Sequence, residues 1–156
     1  MFYYHLTNNK LQKNKFLYKQ ELDFKPRGLW FAKKNLWNKF LKSQNMNRKY
    51  KYEYKLKINF DNILVLSNFD EIINFGKKYG KFIKYNSKKY LVINWKKVEK
   101  DYDGIYYNNY NKIKEKILNK SKTYRNRISK YAWFLTVDLE SGCLFNNKSI
   151  VKSTLI

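Results

Sequence analysis

Residues 50–60 place the strongest constraint on the fold, because apolar and polar side chains alternate along them without interruption. The apolar series is Tyr50, Tyr52, Tyr54, Leu56, Ile58 and Phe60, and the polar series that alternates with it is Lys49, Lys51, Glu53, Lys55, Lys57 and Asn59. A period of two puts the two series on opposite faces of a β-strand. The segment therefore predicts an antiparallel strand with one buried face and one solvated, largely positive face.

The excess of positive charge is the second constraint. The 156 residues include 34 Lys plus Arg against 12 Asp plus Glu, a formal net charge of +22. Such a charge repels itself in a compact state, and an anionic partner relieves that repulsion. Most of the cations are lysines, which suit phosphate contacts, whereas the forked arginine side chain suits the reading of bases. The balance favours binding to the backbone of a nucleic acid, DNA or RNA; an AT-rich genome is the alternative source of the lysines.

The rest of the chain predicts short strands with short helices between them. Strands are expected at 2–7, 28–32, 63–66, 90–93, 105–107, 132–138 and 142–146, and helices at 35–43, after Ser67 or Asn68, and after Asn94. Hydrophobic residues make up 44% of the chain, which is enough for a core. This pattern predicts one α+β domain over residues 1–146, with a mostly antiparallel, split sheet.

Segment 112–131 is the most basic stretch of the chain. Ile113, Ile117, Tyr124, Ile128 and Tyr131 fit one helical stripe, so the segment is expected to be either a basic amphipathic helix or an inserted loop. Residues 147–156 are small and polar, and the pattern predicts a flexible tail.

Several classes of protein are disfavoured by what the sequence contains. Cys143 is the single cysteine and His5 the single histidine, so no disulfide or metal site is expected. The first residues do not have the pattern of a secretory signal, and no apolar run approaches the length of a membrane span. The expected location is intracellular.

Two motifs and the turn that follows them resemble the ADP-ribosyltransferase fold. They are Tyr4-His5-Leu6-Thr7, Pro26-Arg27-Gly28-Leu29-Trp30-Phe31-Ala32 and Asp101-Tyr102-Asp103-Gly104-Ile105. The whole pattern, including residues 138–146, also resembles small uncharacterised proteins of phages and large viruses. The resemblance implies a split sheet with an NAD-binding cleft, and a location in the host cytoplasm or the virion.

The same resemblance implies roles for individual residues. His5 would hydrogen-bond the nicotinamide ribose, and Trp30, which follows Gly28 in the cofactor-binding strand, would stack on the nicotinamide ring. The family also uses a glutamate at the start of one of its last strands to stabilise positive charge on the ribose. Ala132-Trp133 stand at that point, and Glu140 is the nearest carboxylate that could replace it. Either the acid has moved to Glu140 or catalysis is lost.

Two functions therefore stand as the leading predictions, ahead of a basic structural subunit held in a larger assembly by protein contacts. The first is a nucleic-acid-associated protein that transfers ADP-ribose from NAD by means of His5, Trp30 and Glu140. The second is a non-enzymatic basic protein that binds or packages nucleic acid in a virion or ribonucleoprotein. In both, the residues expected to contact phosphates are Lys49, Lys51, Lys55, Lys57, Lys77, Lys78, Lys112, Lys116, Lys120, Arg125 and Arg127.

Overall fold

The computed structural model describes residues 1–11, 16–45 and 50–156, and these form an α+β domain of ten strands and five helices. In chain order the elements are β1 (Tyr3–Thr7), β2 (Leu22–Asp23), β3 (Leu29–Phe31), α1 (Lys34–Ser43), β4 (Tyr52–Ile58), β5 (Ile63–Leu66), α2 (Phe69–Tyr79), β6 (Gly80–Tyr85), β7 (Lys88–Asn94), α3 (Trp95–Asp101), β8 (Gly104–Tyr107), α4 (Tyr110–Lys120), α5 (Tyr124–Leu135), β9 (Ser141–Leu144) and β10 (Ile150–Leu155).

The alternating segment forms β4, the middle strand of a sheet with the order β1-β4-β10. Both neighbours are antiparallel to it, with Tyr3 and Ser153 paired to Leu56 from either side. Tyr54 and Leu56 are buried, and Lys57 on the opposite face is exposed. The predicted division of this strand into a buried face and a polar face is confirmed.

A second sheet, with the order β3-β9-β8-β5, lies at the centre of the domain. Its pairs are antiparallel except β5 and β8, which run parallel. The third sheet has the order β2-β7-β6 and is antiparallel throughout. The expectation of an α+β fold with mostly antiparallel pairing is confirmed.

Two hydrophobic cores lie on the two faces of the central sheet. The first core packs Ile105 and Tyr107 of the sheet against α2, α4, α5 and β7. The second core packs Phe31 and Tyr106 of the same sheet against the sheet that contains β4. Because successive side chains of a strand point to opposite faces, the neighbours Tyr106 and Tyr107 contribute to different cores.

Local capping interactions define α2 as the sequence predicts. Asn68 accepts a hydrogen bond from the backbone N–H of Glu71 (3.0 Å), and the Glu71 carboxylate accepts one from the N–H of Ser67 (2.6 Å). The first bond satisfies a donor that the first helical turn leaves free, and the second satisfies the N–H of the residue before the cap. The helix ends at Gly80. Asn94 caps α3 in the same way as Asn68 caps α2.

The basic segment 112–131 forms parts of two helices. The chain leaves α4 at Ser121, and Thr123 caps a new helix by accepting from the N–H of Asn126 (3.2 Å). Because the helix restarts in a different phase, Ile113 and Ile117 are buried but Tyr124 is 73% exposed. The predicted single stripe therefore does not extend across the break.

The strand predicted at 132–138 is wrong, because α5 continues to Leu135. Ala132, Trp133 and Phe134 are consecutive buried residues in its last turns. A short continuous apolar run fits a buried helix as well as a buried strand, so periodicity could not distinguish the two. The Tyr110 hydroxyl donates to the carbonyl of Leu135 (2.9 Å) and so joins α4 to the end of α5.

The segment 147–156, predicted as a flexible tail, contains β10. Leu155 pairs with Tyr54 and Thr154 with Lys55, which makes β10 an edge strand of the β4 sheet. Pairing with a distant strand compensates for the polar composition of the segment, since it supplies backbone hydrogen bonds that the local sequence does not reveal.

The close approach of β3 and β9 generates a stability prediction. A Cβ on Gly142 would lie 2.6 Å from Cε1 of Phe31, the residue paired with it. We expect Gly142→Ala to lower the free energy of unfolding by about 1–3 kcal/mol through overpacking, measured by chemical denaturation. The control is Gly76→Ala in α2, where helix propensity offsets a 3.3 Å contact with the flexible Leu91 side chain, so little change is expected. Equal losses in the two variants would contradict this account.

Candidate nucleic-acid interface

His5 and Trp30 are neighbours in the structure. The ends of β1 and β3 are joined by a bridge between Tyr4 and Ala32, and this brings Nδ1 of His5 to 2.7 Å from the carbonyl oxygen of Trp30. A carbonyl only accepts, so Nδ1 carries the proton and Nε2 is the acceptor. Burial lowers the pKa of His5, against the smaller opposing effect of the Trp30 carbonyl, and the imidazole is neutral at pH 7.

The Trp30 ring packs on the side of the first core. It lies parallel to the ring of Tyr107, with 6.4 Å between centroids and 7° between planes. Nζ of Lys25 is 5.9 Å from its centroid. Gly28, just before β3, lies against the Cys143 side chain and the Leu144 carbonyl, which leave no space for a Cβ.

Glu140 lies just before β9 and connects three other parts of the chain. Its carboxylate accepts hydrogen bonds from the Tyr106 hydroxyl (2.9 Å) and the backbone N–H of Asn109 (3.1 Å). Nζ of Lys33 is 3.2 Å away, and the Glu140 side chain is 21% exposed. Asn109 has a left-handed backbone at the start of α4, with φ 55°, so the carboxylate also holds a strained turn.

The structure brings two of the three predicted catalytic residues together. His5 contacts Trp30, whereas the polar partners of Glu140 among the described residues are Lys33, Tyr106 and Asn109. Trp30 packs on the first core and Glu140 bonds a tyrosine of the second core, on the other face of the central sheet. Their roles toward NAD stay predictions of the resemblance.

The predicted phosphate-binding residues lie on several elements. Lys49 falls outside the described residues, and Lys51, Lys55 and Lys57 belong to the β4 segment over the second core. The remaining predicted residues belong to helices around the first core: Lys77 and Lys78 on α2, Lys112, Lys116 and Lys120 on α4, and Arg125 and Arg127 on α5. Lys78 is paired with Asp101 (3.4 Å).

A cleft lies between the turn of the β6–β7 hairpin and the first half of α5. We name it the hairpin cleft; its volume is about 680 Å³, and its lining residues are Asn86, Ser87, Lys88, Lys89, Tyr90, Tyr124, Arg125, Asn126, Ile128 and Ser129. Asn86 and Ser87 adopt positive φ values of 47° and 62°, as a two-residue hairpin turn requires. This turn places Lys88 and Lys89 opposite Arg125.

A smaller cleft, the junction cleft, lies where α4 ends and α5 begins. Its volume is about 220 Å³, and its lining residues are Lys120, Ser121, Lys122, Asn126, Lys130 and Tyr131. Asn126 lines both clefts, so the two adjoin at this residue of α5. We refer to them together as the α5 surface.

The α5 surface is strongly electropositive. It presents six exposed cations and no Asp or Glu: Lys88, Lys89, Lys120, Lys122, Arg125 and Lys130. Among the described residues, none of the six has a carboxylate oxygen within 4.0 Å. The positive end of the α5 macrodipole adds to this potential, because first-turn residues of α5 line both clefts.

Sequence reasoning found part of this surface. It identified Arg125 and Lys120 individually and overlooked the convergence of the hairpin turn on α5, because β6 was not predicted. The Tyr85-Asn86-Ser87-Lys88 sequence was the available signal, since a polar pair with Asn between β-forming residues is typical of a tight hairpin. Tyr124 was expected in a buried stripe and is instead exposed in the hairpin cleft.

Comparison with known proteins does not supply a function for this chain. No family model, no curated protein and no solved structure matches the chain. Among the described residues, no helix has both the length and the apolar composition needed to cross a lipid bilayer.

The lowered pKa of His5 predicts how stability depends on pH. The unfolded chain protonates His5 near its ordinary pKa of 6.5, whereas the folded chain does so only at lower pH. The native state therefore loses stability relative to the unfolded state as the pH falls below about 6.5 toward the folded-state pKa. We expect the unfolding free energy of the wild type to fall more than that of His5→Gln between about pH 7 and pH 5. Parallel pH profiles for the two chains would contradict the assignment.

The bonds of Glu140 predict a measurable coupling to Tyr106. In a double-mutant cycle of Tyr106→Phe and Glu140→Ala, we expect a coupling energy of about 1.5 kcal/mol in the free energy of unfolding, as for a hydrogen bond to a charged group. Tyr107→Phe is the matched control, because the buried Tyr107 hydroxyl has no hydrogen-bond partner among the described residues. Removal of the Tyr107 hydroxyl should leave the free energy of unfolding unchanged or raise it. A coupling near zero would show that the Tyr106–Glu140 bond does not contribute to stability.

Proposed function

We propose that this protein binds nucleic acid through the phosphate backbone and that the α5 surface is the binding site. The observation that carries the proposal is the set of six exposed cations around two adjoining clefts, with no carboxylate among the lining residues. A solvated charged face would ordinarily mix both signs. A surface of one sign attracts a polyanion and raises the rate of encounter with it.

The chemistry of the six cations indicates what kind of binding this is. Five are lysines and one is arginine, so the contacts are charge-to-charge contacts with phosphate oxygens. Each neutralised phosphate releases condensed counter-ions, and this entropy gain supplies most of the affinity. Binding of this kind is independent of base sequence and strongly dependent on salt.

The lysines of β4 form a less suitable surface. Glu53 lies in the same strand, between Lys51 and Lys55, and is paired with Lys34 (2.9 Å). A carboxylate within the row lowers the positive potential there. For this reason the α5 surface is the stronger candidate for the phosphate contacts.

The proposal is tested by the salt dependence of binding and by matched charge removal. For six phosphate contacts, the affinity of the wild type for a labelled oligonucleotide should fall about a thousandfold between roughly 50 and 200 mM salt, measured by fluorescence anisotropy. Lys88→Gln/Arg125→Gln should weaken binding. It should also make the plot of log affinity against log salt less steep, by the amount that corresponds to the loss of about two phosphate contacts.

Lys55→Gln/Lys57→Gln is the matched control, because it removes the same charge from the β4 sheet. Its effect should be much smaller at about 0.10–0.15 M salt, since β4 packs on the second core and α5 on the first, and charges farther apart than about 8–10 Å are screened at that ionic strength. Equal effects of the two double variants would remove the α5 surface from the mechanism. An affinity that does not change with salt would contradict phosphate binding altogether.

ADP-ribosyl transfer is the second candidate, and the contact between His5 and the Trp30 carbonyl supports it by placing two of the expected residues side by side. The engagement of Glu140 by Lys33, Tyr106 and Asn109 gives that carboxylate a structural role that needs no substrate. Nicotinamide release from NAD by the wild type, lost in Glu140→Ala, would favour transfer. No release by the wild type would count against it.

A further inference from the structure

Tyr124 is placed unusually for an aromatic side chain in a domain rich in buried aromatics. It is the first residue of α5, it is 73% exposed, and it lines the hairpin cleft beside Arg125. Among the described residues it has no aromatic neighbour, whereas Tyr90 on the opposite wall packs edge-on against Phe24 (6.0 Å). The Tyr124 ring is therefore free to pack against something outside the chain.

The hairpin cleft combines the two chemistries that an unpaired nucleotide presents. Tyr124 offers an aromatic face to a base, and Lys88, Lys89 and Arg125 surround it with positive charge for the flanking phosphates. Asn86 and Asn126 add amide groups that can both donate and accept hydrogen bonds. The volume of about 680 Å³ lies within the range of clefts that hold small organic ligands.

We infer that the hairpin cleft binds an unpaired nucleotide, with its base stacked on Tyr124, so that the protein prefers single-stranded to double-stranded nucleic acid. This inference rests on the proposed function and adds the strand state of the ligand. In a duplex the bases are already stacked and paired, and only phosphates and groove edges face the protein. A duplex would therefore meet the cations of the α5 surface but leave Tyr124 without a base.

The experiment compares one single strand with one duplex at equal salt, using the full chain. The probes are a labelled oligothymidylate of about 20 nucleotides and a mixed-sequence duplex of about the same length. A strand of this length exceeds the roughly 4–16 nucleotides that one single-strand binding site occupies. Tyr124→Ala should weaken binding of the single strand by about 5- to 150-fold and leave duplex binding unchanged. Tyr124→Phe keeps the stacking face and should bind the single strand nearly as the wild type does.

Phe2→Ala serves as the matched control. Phe2 is also an exposed aromatic residue (46%) with a lysine, Lys55, over its ring, but it lies beside the β4 sheet, away from the α5 surface. The Phe2→Ala variant should bind both the single strand and the duplex with the affinity of the wild type. Thermal melting should show that all variants are folded. If duplex and single strand bind equally and Tyr124→Ala affects neither, this inference is overturned while the proposed function stands. If neither probe binds the wild type at low salt, both fail.

Discussion

The two middle strands of the central sheet, β9 and β8, are buried on both faces, and the rest of the structure is arranged around that constraint. All four residues of β8 and all four of β9 are buried, so each side chain there must fit one of two separate cores. Large rings fill the space on either side, Tyr106 toward the β4 sheet and Tyr107 toward the helices. Gly142 allows β9 to pass under the Phe31 ring. Close packing of this kind leaves no interior place for the excess charge.

The positive charge is consequently confined to the outer surface of the domain, on helices, strands and loops alike. Some lysines lie over aromatic rings, as Lys116 and Lys120 do over Phe69 at 5.3 and 5.1 Å, where the ring face partly compensates the charge. The cations around the two clefts have no carboxylate oxygen within 4.0 Å among the described residues. An anionic partner would relieve this repulsion, and the nucleic-acid backbone that we propose as the ligand carries charges of the required sign.

Polar residues within the domain are held by structural bonds. The Asp103 carboxylate, 13% exposed, accepts from the side-chain amides of Asn62 and Asn146 at 2.8 Å each. Glu140 and His5 are similarly satisfied by groups from distant strands. Such bonds remove the cost of partial burial. For Glu140 and His5, they give a structural role to residues for which the resemblance implies a catalytic one. An assay of nicotinamide release from NAD distinguishes the structural role of these residues from a catalytic one.

The sequence alone determined the features that arise from local physics. The alternation around Tyr54 specified a one-sided strand, Ser67 or Asn68 specified the start of α2, and the composition specified a positive surface. Arg125 and Lys120 of the candidate site were identified in this way. Only the tertiary structure decided that residues 132–135 are helical, that the last residues pair with β4, and that Lys88 and Tyr124 line one cleft. Periodicity reports which side of an element is apolar, whereas these outcomes depend on which distant element packs against it.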